Sequence, residues 1–268
     1  NWGFVPRVLR GVSDRTIATK LLEQSFDAPV GIAPMGISAL MAYDGDIVLA
    51  RAAAKQNIPM ILSGSSLTAM EQLFKVNPDC WFQAYLPGED NKIVALIDRV
   101  KRTGFGTLVL TVDTAVLANR ENNLRAGFST PLRFTPKTVW QFATRPGWVF
   151  GTFGRTLVTQ GMPHFENSYS TRGAPIMSRN VTRDFGRKDH LNWDHLRLIR
   201  DQWRGKLVVK GVLAHQDIKE IVALGCDGII LSNHGGRQLD GTVSPLRVLP
   251  DAIKAADNIP VMIDGGFR

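Results

Sequence analysis

The chain has 268 residues, of which 44% are hydrophobic, and it carries a formal net charge of +8. This length is enough for one large domain or two small ones, and no apolar run approaches the roughly 18 residues that a membrane-spanning helix needs. No signal peptide is visible, and because the sequence begins at Asn1 we expect its native N-terminus to be absent. Cys80 and Cys226 lie far apart in apolar surroundings, which favours buried free thiols over a disulfide.

Short apolar runs rich in Val, Ile and Leu recur along the chain and predict seven strands. They span residues 29–33, 60–62, 81–85, 107–111, 206–210, 228–231 and 260–264. Helical patterns lie between most of them, most clearly over 46–55 and 216–224. Strands that are apolar throughout and alternate with helices indicate a parallel sheet that is covered on both faces.

Polar residues follow most of the predicted strands. They are Ser63, Tyr85, Asp113, Lys210, His234 and Asp264, the last with Gly265 and Gly266. In a (β/α)8 barrel the active site is built at this end of the strands. A doubly wound open sheet, the alternative, would gather its ligand residues at one switch point, and no GxGxxG motif follows the first strand. The sequence therefore predicts an α/β chain with the TIM (β/α)8-barrel fold.

The predicted barrel lacks an eighth strand, since the sequence stops at Arg268, directly after the seventh. An open seven-stranded barrel would have unpaired edges and an exposed core. We therefore expect residues 1–268 to form a single barrel domain that is incomplete, with N- and C-terminal parts missing.

The segment LSNHGGRQLD, residues 231–240, combines a proton acceptor with an anion-binding group at the end of a predicted strand. His234 can take a proton, and Arg237 can hold a carboxylate with two parallel hydrogen bonds. Gly235 and Gly236 allow a sharp turn and a close approach of a ligand to the backbone. This combination is typical of an enzyme that acts on a small organic acid.

The chain resembles the family of FMN-dependent 2-hydroxy-acid dehydrogenases and oxidases over nearly its whole length. The resemblance rests on Arg120 and on seven motifs in order: GIAPMG (31–36), ILS (61–63), WFQAY (81–85), LTVDT (110–114), VVKG (208–211), SNHGGRQLD (232–240) and DGGFR (264–268). Any one of these alone would be weak, whereas the ordered set is specific. The chemistry agrees, because two electrons leaving a substrate carbon need an acceptor that side chains cannot supply.

The resemblance implies a role for each matching residue. His234 matches the active-site base, Asp113 the carboxylate that orients and stabilises the imidazole, and Lys210 the lysine beside the flavin N1 and O2 atoms. The substrate-binding residues implied are Tyr85, Arg120 and Arg237. The FMN-binding residues implied are Pro34, Met35, Gly36, Ser63, Gln83, Thr111, Lys210, Ser232, Asp264, Gly265, Gly266 and Arg268. No metal is implied.

Small residues surround the expected position of the substrate side chain. Gly36 and Ser65 leave room for a group larger than hydrogen, and the resemblance implies a mandelate- or lactate-like (S)-2-hydroxy acid, oxidised to the 2-oxo acid. The implied acceptor of the electrons is a membrane quinone or a similar molecule. One alternative is a soluble oxidase that uses O2 and releases hydrogen peroxide. Another, from a different class, is a non-catalytic barrel that binds a phosphate ligand or a membrane.

Residues 128–189 differ from the rest of the chain in charge and aromatic content. They hold nine of the 32 lysines and arginines, three acidic residues and ten aromatic residues. We predict an insert outside the barrel scaffold that lies on the membrane surface, broken into short pieces by its five prolines. A mobile lid with solvated charge is the alternative. Nucleic-acid binding is not expected, because no such motif accompanies the charge.

The resemblance also implies a cellular setting. It places the protein in the cytoplasm, peripheral on the inner face of the cell membrane, and it implies a homo-oligomer, a tetramer in the family.

Overall fold

The computed structural model describes residue 3 and residues 5–127, 135–178 and 188–265. Its strands are Thr19–Leu21 (β1), Gln24–Phe26 (β2), Ile61–Ser63 (β3), Trp81–Ala84 (β4), Thr107–Thr111 (β5), Lys206–Val212 (β6), Gly228–Leu231 (β7) and Val261–Ile263 (β8). Its α-helices are Ser38–Met41 (α1), Gly45–Lys55 (α2), Met70–Phe74 (α3), Asp90–Thr103 (α4), Glu121–Ala126 (α5), Pro136–Ala143 (α6), Pro146–Trp148 (α7), Arg155–Gln160 (α8), Trp193–Gln202 (α9), His215–Ala223 (α10) and Pro245–Ala256 (α11). A π-helix spans Val149–Gly154, and a single 3₁₀ turn spans His234–Gly236.

Strands β3 to β8 form one parallel sheet in which each strand pairs with the next one along the chain. This sequential order is that of a (β/α)8 barrel, whereas a doubly wound sheet reverses its order at a switch point. The fold is therefore an incomplete (β/α)8 barrel, as the sequence predicts. The two expected helices are also present, as α2 and α10.

The first predicted strand, residues 29–33, is reduced to a single parallel bridge between Ile32 and Met60. Pro29 and Pro34 bound this segment, and proline cannot donate a hydrogen bond to a strand ladder. The backbone also comes very close to its neighbour there, since a Cβ atom on Gly31 would lie 2.8 Å from the Pro59 carbonyl oxygen. The prediction of seven strands is therefore confirmed for six.

The sheet separates two apolar regions. Between the sheet and its helices, buried side chains such as Phe82, Leu108, Ile199 and Trp203 form the larger cluster. On the inner side of the barrel lies a second set, which we call the interior layer: Ile61, Trp81, Val109, Val208, Ile230 and Met262. Cys80 and Cys226 are buried and free, as expected, and burial raises the pKa of each thiol to about 12.

A hairpin that the sequence did not predict covers the lower end of the interior layer. Strands β1 and β2 pair antiparallel, and Phe26, Leu21 and Leu22 pack against the interior layer. The Trp81 Nε1–H group donates to Gln24 Oε1 at 2.8 Å, and Lys206 pairs with Glu23 at 2.7 Å. The hairpin therefore closes the barrel at the end opposite to the one where polar side chains gather.

The expected insert has two parts that pack differently. Residues 136–160 form α6, α7, the π-helix and α8, and Trp140, Phe150 and Val158 on them are 70%, 75% and 88% exposed. Pro136 and Pro146 each begin a helix, so these two prolines divide the segment into short pieces, as predicted. In the described part of the chain, no helix is long and apolar enough to span a bilayer.

The second part, residues 163–178, is built into the body of the molecule. Phe165 and Ile176 are buried against Ala39 and Leu67. Asn167 is fully buried and accepts a hydrogen bond from the Met70 N–H group at 2.9 Å. The expectation that all of 128–189 lies outside the barrel scaffold is therefore corrected for this part. The ends of the expected insert, 128–134 and 179–187, lie outside the described residues.

Candidate active site

Six polar residues stand at the carboxyl end of the sheet, each two positions after a member of the interior layer. We call them the strand-end layer: Ser63, Gln83, Thr111, Lys210, Ser232 and Asp264. Because successive side chains of a strand alternate between its faces, residues two apart point to the same side. The structure thus brings these sequence-predicted residues together at one end of the barrel interior.

Lys210 is the charged centre of the strand-end layer. Its Nζ atom donates to Ser232 Oγ at 2.9 Å and pairs with Asp264 Oδ2 at 2.8 Å. The Lys210 side chain is 5% exposed and that of Asp264 is 20% exposed. A buried cation of this kind is tolerated because it is paired and hydrogen-bonded.

Several polar atoms of the site have no partner in the described part of the protein. The Gln83 Oε1 atom accepts from the Ser63 hydroxyl at 3.1 Å and from the Gly64 N–H group at 3.2 Å, which leaves its Nε2 donor free. The Thr111 Oγ1 and Asp264 Oδ1 atoms are likewise buried and unpaired. Buried polar atoms without partners are costly in a folded protein, so this set fits a polar cofactor that supplies the missing hydrogen bonds.

The loop that carries Pro34, Met35 and Gly36 lies beside the end of β3. The Ile37 N–H group donates to the Ser65 carbonyl oxygen at 3.2 Å, and a Cβ atom on Gly36 would lie 3.1 Å from the Ser65 Cβ atom. The absence of a side chain at Gly36 therefore allows the two loops to come together at the rim of the site. Gly265 lies in the described chain with a φ of +97°, whereas Gly266 and Arg268 lie outside the described residues.

His234 and Asp113 form the pair that the resemblance implies. The His234 Nδ1 atom lies 3.0 Å from Asp113 Oδ1, and the His234 N–H group donates to Ser232 Oγ at 3.0 Å. His234 has a φ of +56°, which is unusual for a residue with a side chain and is typical of strained functional positions. With Nδ1 held by the carboxylate, Nε2 is the atom available to take a proton.

Tyr85, Arg120 and Arg237 lie near this pair. Burial, with a smaller effect of the Asp113 carboxylate, raises the pKa of the Tyr85 hydroxyl to about 12 against the lowering effect of Arg120. Burial and then the Arg237 cation lower the pKa of Arg120, so the two guanidinium groups are close enough to repel each other. Arg120 Nη2 donates to Gln238 Oε1 at 2.9 Å, and Arg237 is exposed. Two neighbouring cations of this kind favour an anionic ligand.

Two supporting residues escaped the sequence-based reasoning. Gly211 has a φ of +101°, and a Cβ atom there would lie 2.6 Å from Asp113 Cγ, so glycine is needed for Asp113 to reach His234. Asp46 is buried in the first turn of α2 and accepts hydrogen bonds from Ser38 and from Ser66. Burial raises the pKa of this carboxyl group. The sequence gives no sign that Asp46 is buried, because an acidic residue in the first turn of a helix is usually exposed to solvent.

The fold and the site together define a (β/α)8-barrel protein of the flavin-dependent oxidoreductase class. The profile of the FMN-dependent dehydrogenase family matches residues 1–268, and the chain belongs to that family, whose cofactor is FMN.

Known relatives agree with this assignment. (S)-Mandelate dehydrogenase of Pseudomonas putida is 38% identical over 274 residues, covering 100% of this chain and 66% of the relative. L-Lactate dehydrogenase of Pseudomonas paraeruginosa is 34% identical, covering 98% and 68%. A crystal structure of the monotopic membrane protein (S)-mandelate dehydrogenase superposes with a TM-score of 0.86 at 35% identity, covering 100% of this chain and 70% of that one. The chain thus spans about two thirds of the length of these relatives.

Proposed function

We propose that this chain carries the active site for FMN-dependent oxidation of an (S)-2-hydroxy acid to the 2-oxo acid. The observation that supports this most directly is the His234–Asp113 pair, which stands beside two arginines and a row of unpaired buried polar atoms. Substrates of the mandelate or lactate type are suggested by the names of the relatives.

Each residue then has a role at a stated atom. The two guanidinium groups of Arg120 and Arg237 bind the substrate carboxylate, and Tyr85 donates a hydrogen bond to the substrate. His234 Nε2 takes one of the two protons that the substrate loses, and Asp113 stabilises the resulting imidazolium. When bound, FMN would supply the acceptor for the electron pair and for the second proton. Lys210 and the rest of the strand-end layer, with Pro34, Met35, Gly36 and Gly265, would hold the FMN.

The proposed function predicts a specific spectral change. The purified protein with FMN should show flavin absorption near ~450 nm, and this should bleach without oxygen when a suitable (S)-2-hydroxy acid is added. The (R)-enantiomer serves as the control, because two arginines fix which face of the substrate carbon meets the flavin. A barrel that is not an enzyme would bind no flavin or would show no bleaching with any 2-hydroxy acid.

The electron acceptor is the point on which dehydrogenases and oxidases differ. We propose a membrane quinone or a similar molecule, since the chain carries the exposed aromatic helices 136–160 and a structural neighbour is described as monotopic. The second candidate is O2, because mandelate oxidase also shares the fold, with a TM-score of 0.74 at 25% identity. Peroxide formed in stoichiometric amounts under air would favour the oxidase.

We further propose that residues 136–160 dock on the inner face of the cell membrane. Trp140, Phe150 and Val158 would enter the interface, and cations such as Arg145 would contribute ~1 kcal/mol each near anionic headgroups. A single barrel domain over 1–268 and a homo-oligomeric assembly stay predictions.

Changing the three exposed apolar residues together should release the protein from anionic vesicles. We expect Trp140→Ser/Phe150→Ser/Val158→Ser to lower vesicle partitioning by at least about tenfold at low salt, because the apolar contribution is lost. Flavin content should be unchanged, since the strand-end layer is elsewhere. Ile253→Ser, an exposed position on α11, is the matched control. Partitioning equal to that of the unmodified protein would rule out docking through this surface.

A further inference from the structure

Lys188 stands at the rim of the candidate active site without a role in the function proposed above. Its Nζ atom lies 5.0 Å from the centre of the Tyr85 ring, over the ring face. Its backbone N–H group donates to the Ala115 carbonyl oxygen at 2.9 Å, two residues beyond Asp113. The backbone of Lys188 is thus fixed against the loop after β5. Its amine lies beside Tyr85, the tyrosine that we place at the substrate.

The Lys188 amine has no counter-ion among the residues that the structure describes. In the part of the chain that the structure describes, its only side-chain interaction is the contact with the Tyr85 ring. Burial lowers the pKa of Lys188 to about 8, and none of the carboxylates in the described ranges offsets this shift. A cation removed from water without an anion is costly, which marks the position as one that a ligand can complete.

The ionisable groups on the elements packed around Lys188 are already engaged or belong to the substrate site. Asp113 beyond β5 is held by His234, and Arg120 is held by Gln238. In its own segment, Asp189 has a contact of its own, and the His190 ring packs edge-on against His195. The Tyr85 hydroxyl, with its pKa near 12, is neutral at physiological pH. Among the described residues, no carboxylate forms an ion pair with the Lys188 amine beside Tyr85.

We propose, on the basis of the function proposed above, that Lys188 binds a second carboxylate on the substrate side chain. The substrate would then be an (S)-2-hydroxy dicarboxylic acid, with its α-carboxylate on Arg120 and Arg237 and its distal carboxylate on Lys188 Nζ. The specificity of the site would thus depend on a residue that lies outside the motifs of the family resemblance. If Lys188 merely supported the Tyr85 ring through a cation–π contact, its loss would affect all substrates alike.

The test compares two substrates and three variants. The substrates are (S)-2-hydroxyglutarate and a matched acid in which an isopropyl group replaces the distal carboxylate. Lys188→Met should lower the ratio of their kcat/KM values by at least about tenfold, the loss expected for one charge-assisted hydrogen bond. Lys188→Arg should retain part of the ratio, and Lys219→Met, an exposed lysine on α10, should leave it unchanged.

The pH dependence gives a second readout. In the unmodified protein the ratio should fall as pH rises through about 8, because the amine loses its proton, and in Lys188→Met it should be flat. If Lys188→Met changes the ratio by less than about twofold, the proposal is overturned, because the loss of one hydrogen bond would have a larger effect. Calorimetric titration with 2-oxoglutarate measures binding without catalysis, since this acid is not oxidised, and so separates this failure from a failure of the proposed function. Binding to Lys188→Met that is tenfold weaker than to the unmodified protein supports the proposal, and equal binding overturns it.

Discussion

Replacing His234 with Gln should slow substrate-driven flavin reduction by about 10²- to 10⁴-fold while the flavin stays bound. Glutamine can occupy the space of the imidazole and donate a hydrogen bond, but it cannot take the substrate proton. The flavin-binding residues that we propose lie at the strand ends and in the adjoining loops, and the contact between Ser232 and His234 is made by the His234 backbone N–H group, which the substitution keeps, so the flavin should be retained. Anaerobic stopped-flow spectroscopy measures the reduction rate directly.

Two further variants make this experiment specific. Asp113→Asn should also slow reduction, because the neutral amide no longer stabilises an imidazolium at Nδ1, 3.0 Å away. His215→Gln, at the exposed start of α10, should have no effect. Reduction of His234→Gln at the unmodified rate would mean that another group accepts the proton.

Replacing Lys210 with Met should destabilise the fold and abolish firm flavin binding. The change leaves the Asp264 carboxylate without its cation, and breaking a buried pair typically costs about 3–5 kcal/mol. Because the Asp264 side chain is 20% exposed, we expect a smaller decrease in the free energy of unfolding, roughly 2–3 kcal/mol. Urea unfolding followed by tryptophan fluorescence measures this decrease through the midpoint of the transition.

The double variant Lys210→Met/Asp264→Asn separates the two effects. It removes the uncompensated charge, so most of the lost stability should return, because a coupled pair is not additive. Flavin binding should not return, since the cation that would balance the reduced flavin is still missing. A single Lys210→Met variant with unchanged stability and flavin content would show that the Lys210–Asp264 pair is not formed in solution.

The strand-end layer was predictable because two independent signals coincide there. Continuous apolar runs mark buried parallel strands, and a polar residue directly after such a run has few other places to point than the end of the barrel. Ser63, Gln83, Thr111 and Lys210 all lie where the motifs place them. Their pairing partners were not predictable, since the Lys210–Asp264 contact depends on how far β6 and β8 are apart in space.

The elements that the sequence did not reveal lack a local signal. The β1–β2 hairpin turns at Leu22 and Glu23, both with positive φ, where a glycine or asparagine would have marked such a turn. The charge and aromatic content of residues 128–189 taken as a whole does not separate 163–178 from the exposed helices before it, so this content could not show that Phe165 and Ile176 are buried. Lys188 is similar, because only the tertiary fold brings it to Tyr85.

The hairpin at the lower end of the barrel has a consequence for the order of folding. Leu21, Leu22 and Phe26 leave the ribosome well before Val208, Ile230 and Met262, against which they pack. At about 5–20 residues per second, this apolar surface waits roughly 10 to 50 seconds for its partners. During that interval it is open to chaperones and to neighbouring nascent chains, so the hairpin can be fully covered only after translation has passed β8.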